Sequence, residues 1–331
     1  MLMSCVSDVD DSFLVLAPHY VNFSKIAKYR NKVNLIPVHL DIDYTLIKDG
    51  FGEYIHSLNE AIMHFQPKGG AGRLRGLIFS NPSNPLGLIA TQSQLQDIIS
   101  LCVKHQLHCV VDEVYALSAH GSSQFISAHT VARQLGAEAL ERTHVVYSFS
   151  KDFAAAGLRC GLVHTENINI LLVLQQLSRF APVSTLSQFI IEQLIEDESF
   201  LEIYVHTLKK RLSHSSKCLC DGLDRLGFRF VRPQAGLFTF VNVKDCLSLV
   251  TRNNDSSTEE DKENLLWKFF LDEFHINLSP GKPTGTREEG WFRICSAQPD
   301  DVISELLHRL NQVACRRDER LIEPTLLSQI V

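Results

Sequence analysis

Tyr147-Ser148-Phe149-Ser150-Lys151-Asp152-Phe153-Ala154-Ala155-Ala156-Gly157-Leu158-Arg159-Cys160-Gly161 puts a lysine just behind an apolar strand and trails it with small residues. Burial at such a place would lower a lysine's pKa and free its amine for carbonyl chemistry. Ser148 offers a hydroxyl and Arg159 a fixed fork of donors, the parts needed to hold a phosphate. The same lysine also fits an ordinary helix-entry loop. The decision rests on what surrounds it.

The first half of the chain alternates short β-rich apolar runs with helical patterns. Residues 13–16, 34–38, 76–80, 108–111, 144–148 and 160–164 read as six buried strands. Continuous apolar runs of this kind suit a parallel α/β sheet covered on both faces. Residues 91–105 carry apolar positions at Leu95, Ile98, Ile99 and Cys102, with Thr91 as an N-cap. After about residue 182 the pattern changes. Residues 184–226 are helical, 198–226 being a connecting helix, and 228–243 read as strand–turn–strand. Residues 251–264 are polar and read as a loop before a helix over 265–274. Short strands over 276–278 and 291–295 and a helix over 300–315 complete a separate α+β lobe.

Composition excludes several classes. The 331 residues are 45% hydrophobic and 21% charged, with a net charge of −6 that leaves no nucleic-acid footprint. No apolar run approaches the ~18 residues of a membrane span. Residues 1–13 are acidic and lack the basic start of a secretory signal. Nine scattered cysteines match no zinc-knuckle spacing, and no metal ligand is assigned. Cys102, Cys109 and Cys160 read as small core residues, and reduced thiols imply a cytoplasmic protein. The phosphate-loop signatures GxGxxG and GxxxxGK[ST] are absent, which argues against a nucleotide-binding protein.

Ligands of parallel α/β sheets sit beyond the carboxyl ends of the strands, and further candidates fall at such ends. Asp112 ends the fourth strand, either as a helix N-cap or as the partner of a pyridinium nitrogen. Tyr115, three residues on, could donate to a phenolic oxygen on the same ring. Asn81-Pro82-Ser83-Asn84-Pro85-Leu86-Gly87 is a rigid turn that can hold an amide against a ligand. Tyr20 could stack on a flat heteroaromatic ring or simply pack. Arg293, inside an apolar strand, needs a carboxylate partner, from a substrate or from the protein. A lysine amine, a phosphate cradle and a ring partner together suggest pyridoxal 5'-phosphate (PLP).

These motifs resemble the class I/II aminotransferases of PLP fold type I, and most of all the 1-aminocyclopropane-1-carboxylate (ACC) synthase and ACC synthase-like branch. Residues 81–87 match its NPxNPLG turn, 112–115 its DEVY element, 148–161 its SxSKDxxxxGLRxG element and 290–293 its GWFR element. The resemblance implies an α/β fold with a mainly parallel large-domain sheet flanked by helices, plus a smaller α+β C-terminal domain. It implies a cofactor-binding domain over residues 1–195, and a connecting helix and small domain over 196–331. It implies a Lys151 Schiff base with PLP, Asp112 on the ring nitrogen, and Asn84 and Tyr115 on the ring oxygen. Tyr20 would stack, Ser148 and Arg159 would bind the phosphate, and Arg293 would grip the substrate carboxylate. The implied activity is that of a homodimeric aminotransferase or ACC synthase-like lyase on an α-amino acid, with a 2-oxo acid as co-substrate in the first case. An impaired scaffold that keeps the fold, or an inactive fragment, is the alternative.

The likeness also sets an expectation about length. Family members carry a long stretch ahead of the position of Phe13, with a small-residue loop that caps the phosphate and a tyrosine that reaches the partner's cofactor. The expectation is therefore an N-terminally truncated chain. His19 and Val21-Asn22 replace residues the family usually carries around Tyr20.

Overall fold

The computed structural model describes residues 1–39, 51–67, 72–250 and 261–327. The chain folds into two compact units. The first comprises Met1–Asn84, Leu88–Lys210 and Gln234–Gly236; the second comprises Pro85–Gly87, Arg211–Pro233 and Leu237–Val331.

The first unit runs α1 (Leu2–Val6), β1 (Ser12–Leu16), α2 (Asn22–Lys25), β2 (Asn34–Val38), α3 (Glu53–Met63), β3 (Leu74–Ser80), α4 (Gln92–Lys104) and β4 (His108–Asp112). It continues through α5 (Ala128–Leu135), α6 (Ala137–Arg142), β5 (Thr143–Ser148), β6 (Gly161–Thr165), α7 (Ile168–Ser178) and α8 (Thr185–Glu196) into α9 (Glu198–Arg225). Six strands form one sheet in the order β2-β1-β3-β4-β5-β6. Neighbours are parallel from β2 through β5, while β6 returns antiparallel to β5. The sheet is therefore mixed, not wholly parallel. A parallel return needs a crossover helix, and residues 149–160 contain none. That link folds back on itself instead, with Phe149 N–H donating to Cys160 O and Ala155 N–H to Phe149 O.

The middle of the sheet is covered on both faces. Alternation along β1 sends Phe13 and Val15 to one face, where they pack with Leu2, Phe23, Ile78, Val110 and Ile170. Burial of such side chains at ~25 cal/mol per Å² drives the assembly. The edges are not buried as the apolar pattern suggested: β2 is half-exposed, and Gly161, Leu162 and His164 of β6 are exposed. Pro37, which lacks an N–H, is tolerated because β2 is an edge strand. Gly76 of β3 is required by packing, since a Cβ there would run into the His108 carbonyl and the Phe13 ring. Thr91 caps α4 as expected, and Gln94 completes a capping box. Cys102 and Cys109 are core residues; Cys160 is only half-buried.

The second unit contains the end of α9, β7 (Arg229–Val231), β8 (Phe238–Asn242), α10 (Lys262–Phe274), β9 (Ser279–Pro280), β10 (Trp291–Cys295) and α11 (Asp300–Leu327). Its four strands pair antiparallel in the order β7-β8-β10-β9. Leu219, Leu223, Val241, Phe270, Phe292 and Leu310 form its core. The strand expected over 276–278 is displaced. Ile276 and Leu278 are buried in the core, but the backbone pairs one step later, Ser279 with Arg293 and Pro280 with Phe292. Most of the loop expected over 251–264 lies outside the described residues, and α10 begins at Lys262. The last helix runs on past residue 315 to Leu327. Among the described residues, no helix is long and apolar enough to cross a membrane.

Candidate active site

β1, β3, β4 and β5 run the same way, so their carboxyl ends share one edge of the sheet. Register places Ser80 beside Asp112 and Asp112 beside Val146. The segments that leave these ends converge on a cavity of about 260 Å³. Tyr20, Asn84, Asp112, Tyr115, Ser148, Lys151 and Arg159 all line it, joined by Val114, Ser150 and Ala156. Seven of the eight residues singled out in the sequence thus meet in one place. The eighth, Arg293, belongs to β10 of the second unit, where its guanidinium lies 5.1 Å over the Phe238 ring.

Asp112 is not an α-helix N-cap. Its Oδ1 accepts from the Val114 N–H at 3.3 Å, an Asx turn at the strand's end. Desolvation pushes its carboxyl up to about 6, against hydrogen bonds from Val114 and Ser80 and the positive charge of Lys151. Such a group is mostly ionised at neutral pH and keeps some basicity. Asn84 and Tyr115 beside it are both buried. Tyr20 meets Phe23 edge-on at 5.6 Å, and its hydroxyl accepts from Asn22 Nδ2 at 2.6 Å.

Lys151 is exposed, contrary to the burial that the sequence suggested. It sits in the turn just beyond β5, where the chain has left the sheet, so burial is not what sets it apart. The loop around it is tightly held. Ser148 Oγ accepts from the Ser150 N–H at 3.3 Å, and Lys151 O accepts from the Ala154 N–H at 3.1 Å. Ala154 and Arg159 both adopt φ of +51°, a region that costs non-glycine residues energy and recurs at functional sites. Arg159 Nη1 donates to Ala156 O at 3.0 Å.

Sequence reasoning missed the support beneath the lysine. Asp152 is 1% exposed; its Oδ2 accepts from the Leu117 N–H at 2.9 Å and from the Tyr147 hydroxyl at 3.2 Å. Desolvation pushes its carboxyl up to about 7. The Tyr204 hydroxyl donates to its backbone carbonyl at 2.8 Å. The available signal was an acid directly after the lysine in an otherwise apolar stretch. Glu113, next to Asp112, turns away from the cavity and accepts from the Ala128 N–H at 2.7 Å, which anchors the start of α5.

Residues 1–310 match the sequence model of the family described as aminotransferase class I and II. The chain is 30% identical over 321 residues to 1-aminocyclopropane-1-carboxylate synthase 7 of Arabidopsis thaliana, covering 96% of this chain and 68% of that protein. It is 29% identical over 323 residues to a 1-aminocyclopropane-1-carboxylate synthase of Glycine max, covering 96% and 63%. The chain thus spans about two thirds of the length of these relatives. Among solved structures, the aromatic aminotransferase of Pyrococcus horikoshii superposes with a TM-score of 0.78 at 22% identity, covering 96% of this chain and 76% of that one. The aspartate aminotransferase of Thermus thermophilus with maleate gives 0.77 at 20% identity, covering 94% and 72%. With the fold, the motifs and these likenesses in agreement, the chain belongs to the class I and II aminotransferase family and has the PLP fold type I architecture.

Proposed function

We propose that this chain is a PLP-dependent enzyme acting on α-amino acids, as an aminotransferase or an ACC synthase-like lyase. The observation that carries the reading is the convergence of Tyr20, Asn84, Asp112, Tyr115, Ser148, Lys151 and Arg159 on one cavity. The donor set suits the cofactor: an amine, a carboxylate, an aromatic face, an amide and a phenol, a hydroxyl and a guanidinium. Lys151 would attach it, and Asp112 would hold its ring nitrogen protonated. Asn84 and Tyr115 would hold the ring oxygen, Tyr20 would stack, and Ser148 and Arg159 would hold the phosphate. Bound PLP supplies an electron sink for the charge that develops at the substrate α-carbon. Arg293 would bind the substrate carboxylate through its planar fork. The Lys151 amine, released from its covalent duty, would then move the α-proton.

Adding PLP to the purified chain tests this directly. A visible absorption band should form and should be lost in Lys151→Ala. No band, or one indifferent to that substitution, would falsify the reading. Product analysis then separates the outcomes: a 2-oxo acid marks transamination, and loss of a γ-leaving group marks lyase chemistry. The second reading is an impaired scaffold. A folded chain that forms no band supports that alternative.

The proposal extends to a homodimer in the cytoplasm, where nine free thiols stay reduced. Phe180, Leu186, Phe189 and Ile203 are 87%, 67%, 57% and 67% exposed, apolar side chains that a second copy would cover. Light scattering should give twice the chain mass, and a strict monomer would remove this part of the proposal.

A further inference from the structure

We propose that His129, His164 and Glu166 form a Zn²⁺ site that clasps α5 to the end of β6. His129 lies in the first turn of α5, His164 in β6, and Glu166 in the link to α7. Among the described residues, this is the cluster of three metal-ligating side chains whose ligand atoms all lie within 4.8 Å of one another. Glu166 Oε1 is 3.3 Å from His129 Nε2 and 3.7 Å from His164 Nε2. Zinc bonds of ~2.0–2.1 Å in a tetrahedron set ligand atoms about 3.4 Å apart, so both separations already match. Rotation of the half-exposed His164 and Glu166 side chains can close the rest. Two imidazoles and one carboxylate leave a fourth position for water, a ligand set suited to zinc.

The surroundings keep the ligands ready. The two imidazoles meet edge-on, with ring centroids 4.1 Å apart. Arg133, one turn along α5 from His129, repels a cation and limits the affinity. Glu113 fixes the start of α5 through Ala128, so His129 is set on a rigid element. A spacing of 35 and then two residues matches no zinc motif, which is why the sequence carries no sign of the site.

The test is a titration of the metal-free chain with ZnCl₂, followed by dialysis and by thermal unfolding. One equivalent should bind and raise the Tm. Outer-sphere partners alone are worth about 10–100-fold in metal affinity, so His164→Ala and Glu166→Gln should each weaken binding roughly 100-fold or more. Both side chains are 45% exposed, so these variants should keep the fold, which circular dichroism checks. Co²⁺ should give an absorption spectrum without a thiolate charge-transfer band. No bound zinc, equal affinity in the variants, or a thiolate band pointing to the cysteines would each overturn the site.

Discussion

The two sides of the cavity are built differently. On the β3–β4 side, Asn84 and Tyr115 are buried, and Asp112 is fixed by sheet register with Ser80 and by the Val114 amide. On the β5 side, Lys151 and Arg159 are exposed and stand on a loop with two residues at positive φ. The first side inherits its geometry from the sheet. The second depends on closure of residues 149–160, and Asp152 holds that closure from below. A rigid half can tune a ring, while a loop half can let a covalent partner attach and detach.

The largest effect is expected on the rigid side. On the proposed roles, Asp112→Asn would remove a charge-assisted contact to the cofactor ring worth about 1.5–3 kcal/mol. PLP affinity should fall roughly 10–100-fold by spectral titration. An unchanged affinity would mean that sheet register does not position the ring contact.

Next comes the anchor of the loop. The Asp152 carboxyl is raised from 3.8 to about 7, so the folded state holds its proton more tightly than the unfolded state. Its contribution is therefore most favourable below about pH 4 and is lost as pH rises toward 7. Asp152→Asn keeps an oxygen acceptor and abolishes the charge. Relative to wild type it should be more stable at pH 8, by on the order of 1 kcal/mol, with the advantage vanishing toward pH 4. Denaturant titrations at both pH values check this, and a pH-independent difference would contradict it. The difference must be compared with wild type, because His108 and His144, held at about 4 and about 3 by desolvation, destabilise the fold as pH falls below 6.5.

The smallest effect is expected at Arg159. An exposed charge contributes about 0.2–1 kcal/mol, so Arg159→Ala should weaken PLP binding by about fivefold or less. Added salt should shrink that difference further. A loss as large as that of Asp112→Asn would erase the contrast between the two sides.

Much of this was legible in the sequence because strand-end residues follow from strand positions. Once the apolar runs ending at Leu16, Ser80, Val111 and Ser148 are read as parallel neighbours, Tyr20, Asn84, Asp112 and Lys151 must share an edge. What escaped has physical causes. Apolar periodicity reports burial and not strand direction, so the antiparallel return of β6 was hidden. Ile276 and Leu278 bury their side chains without pairing their backbone, which moved β9 to Ser279–Pro280. The exposure of Lys151 depends on how far the chain has left the sheet, and adjacency to an apolar strand does not reveal that. The Asp152 contacts to Leu117 and Tyr204 span 35 and 52 residues, a separation that no local pattern encodes.

Lys151, on the loop side of this cavity, is the proposed attachment point of the cofactor. Borohydride reduction of the PLP-loaded chain, followed by peptide mass mapping, tests it most directly. One phosphopyridoxyl group per chain is expected, on the peptide that carries Lys151. Label spread over surface lysines, or fixed on a lysine elsewhere, would contradict it.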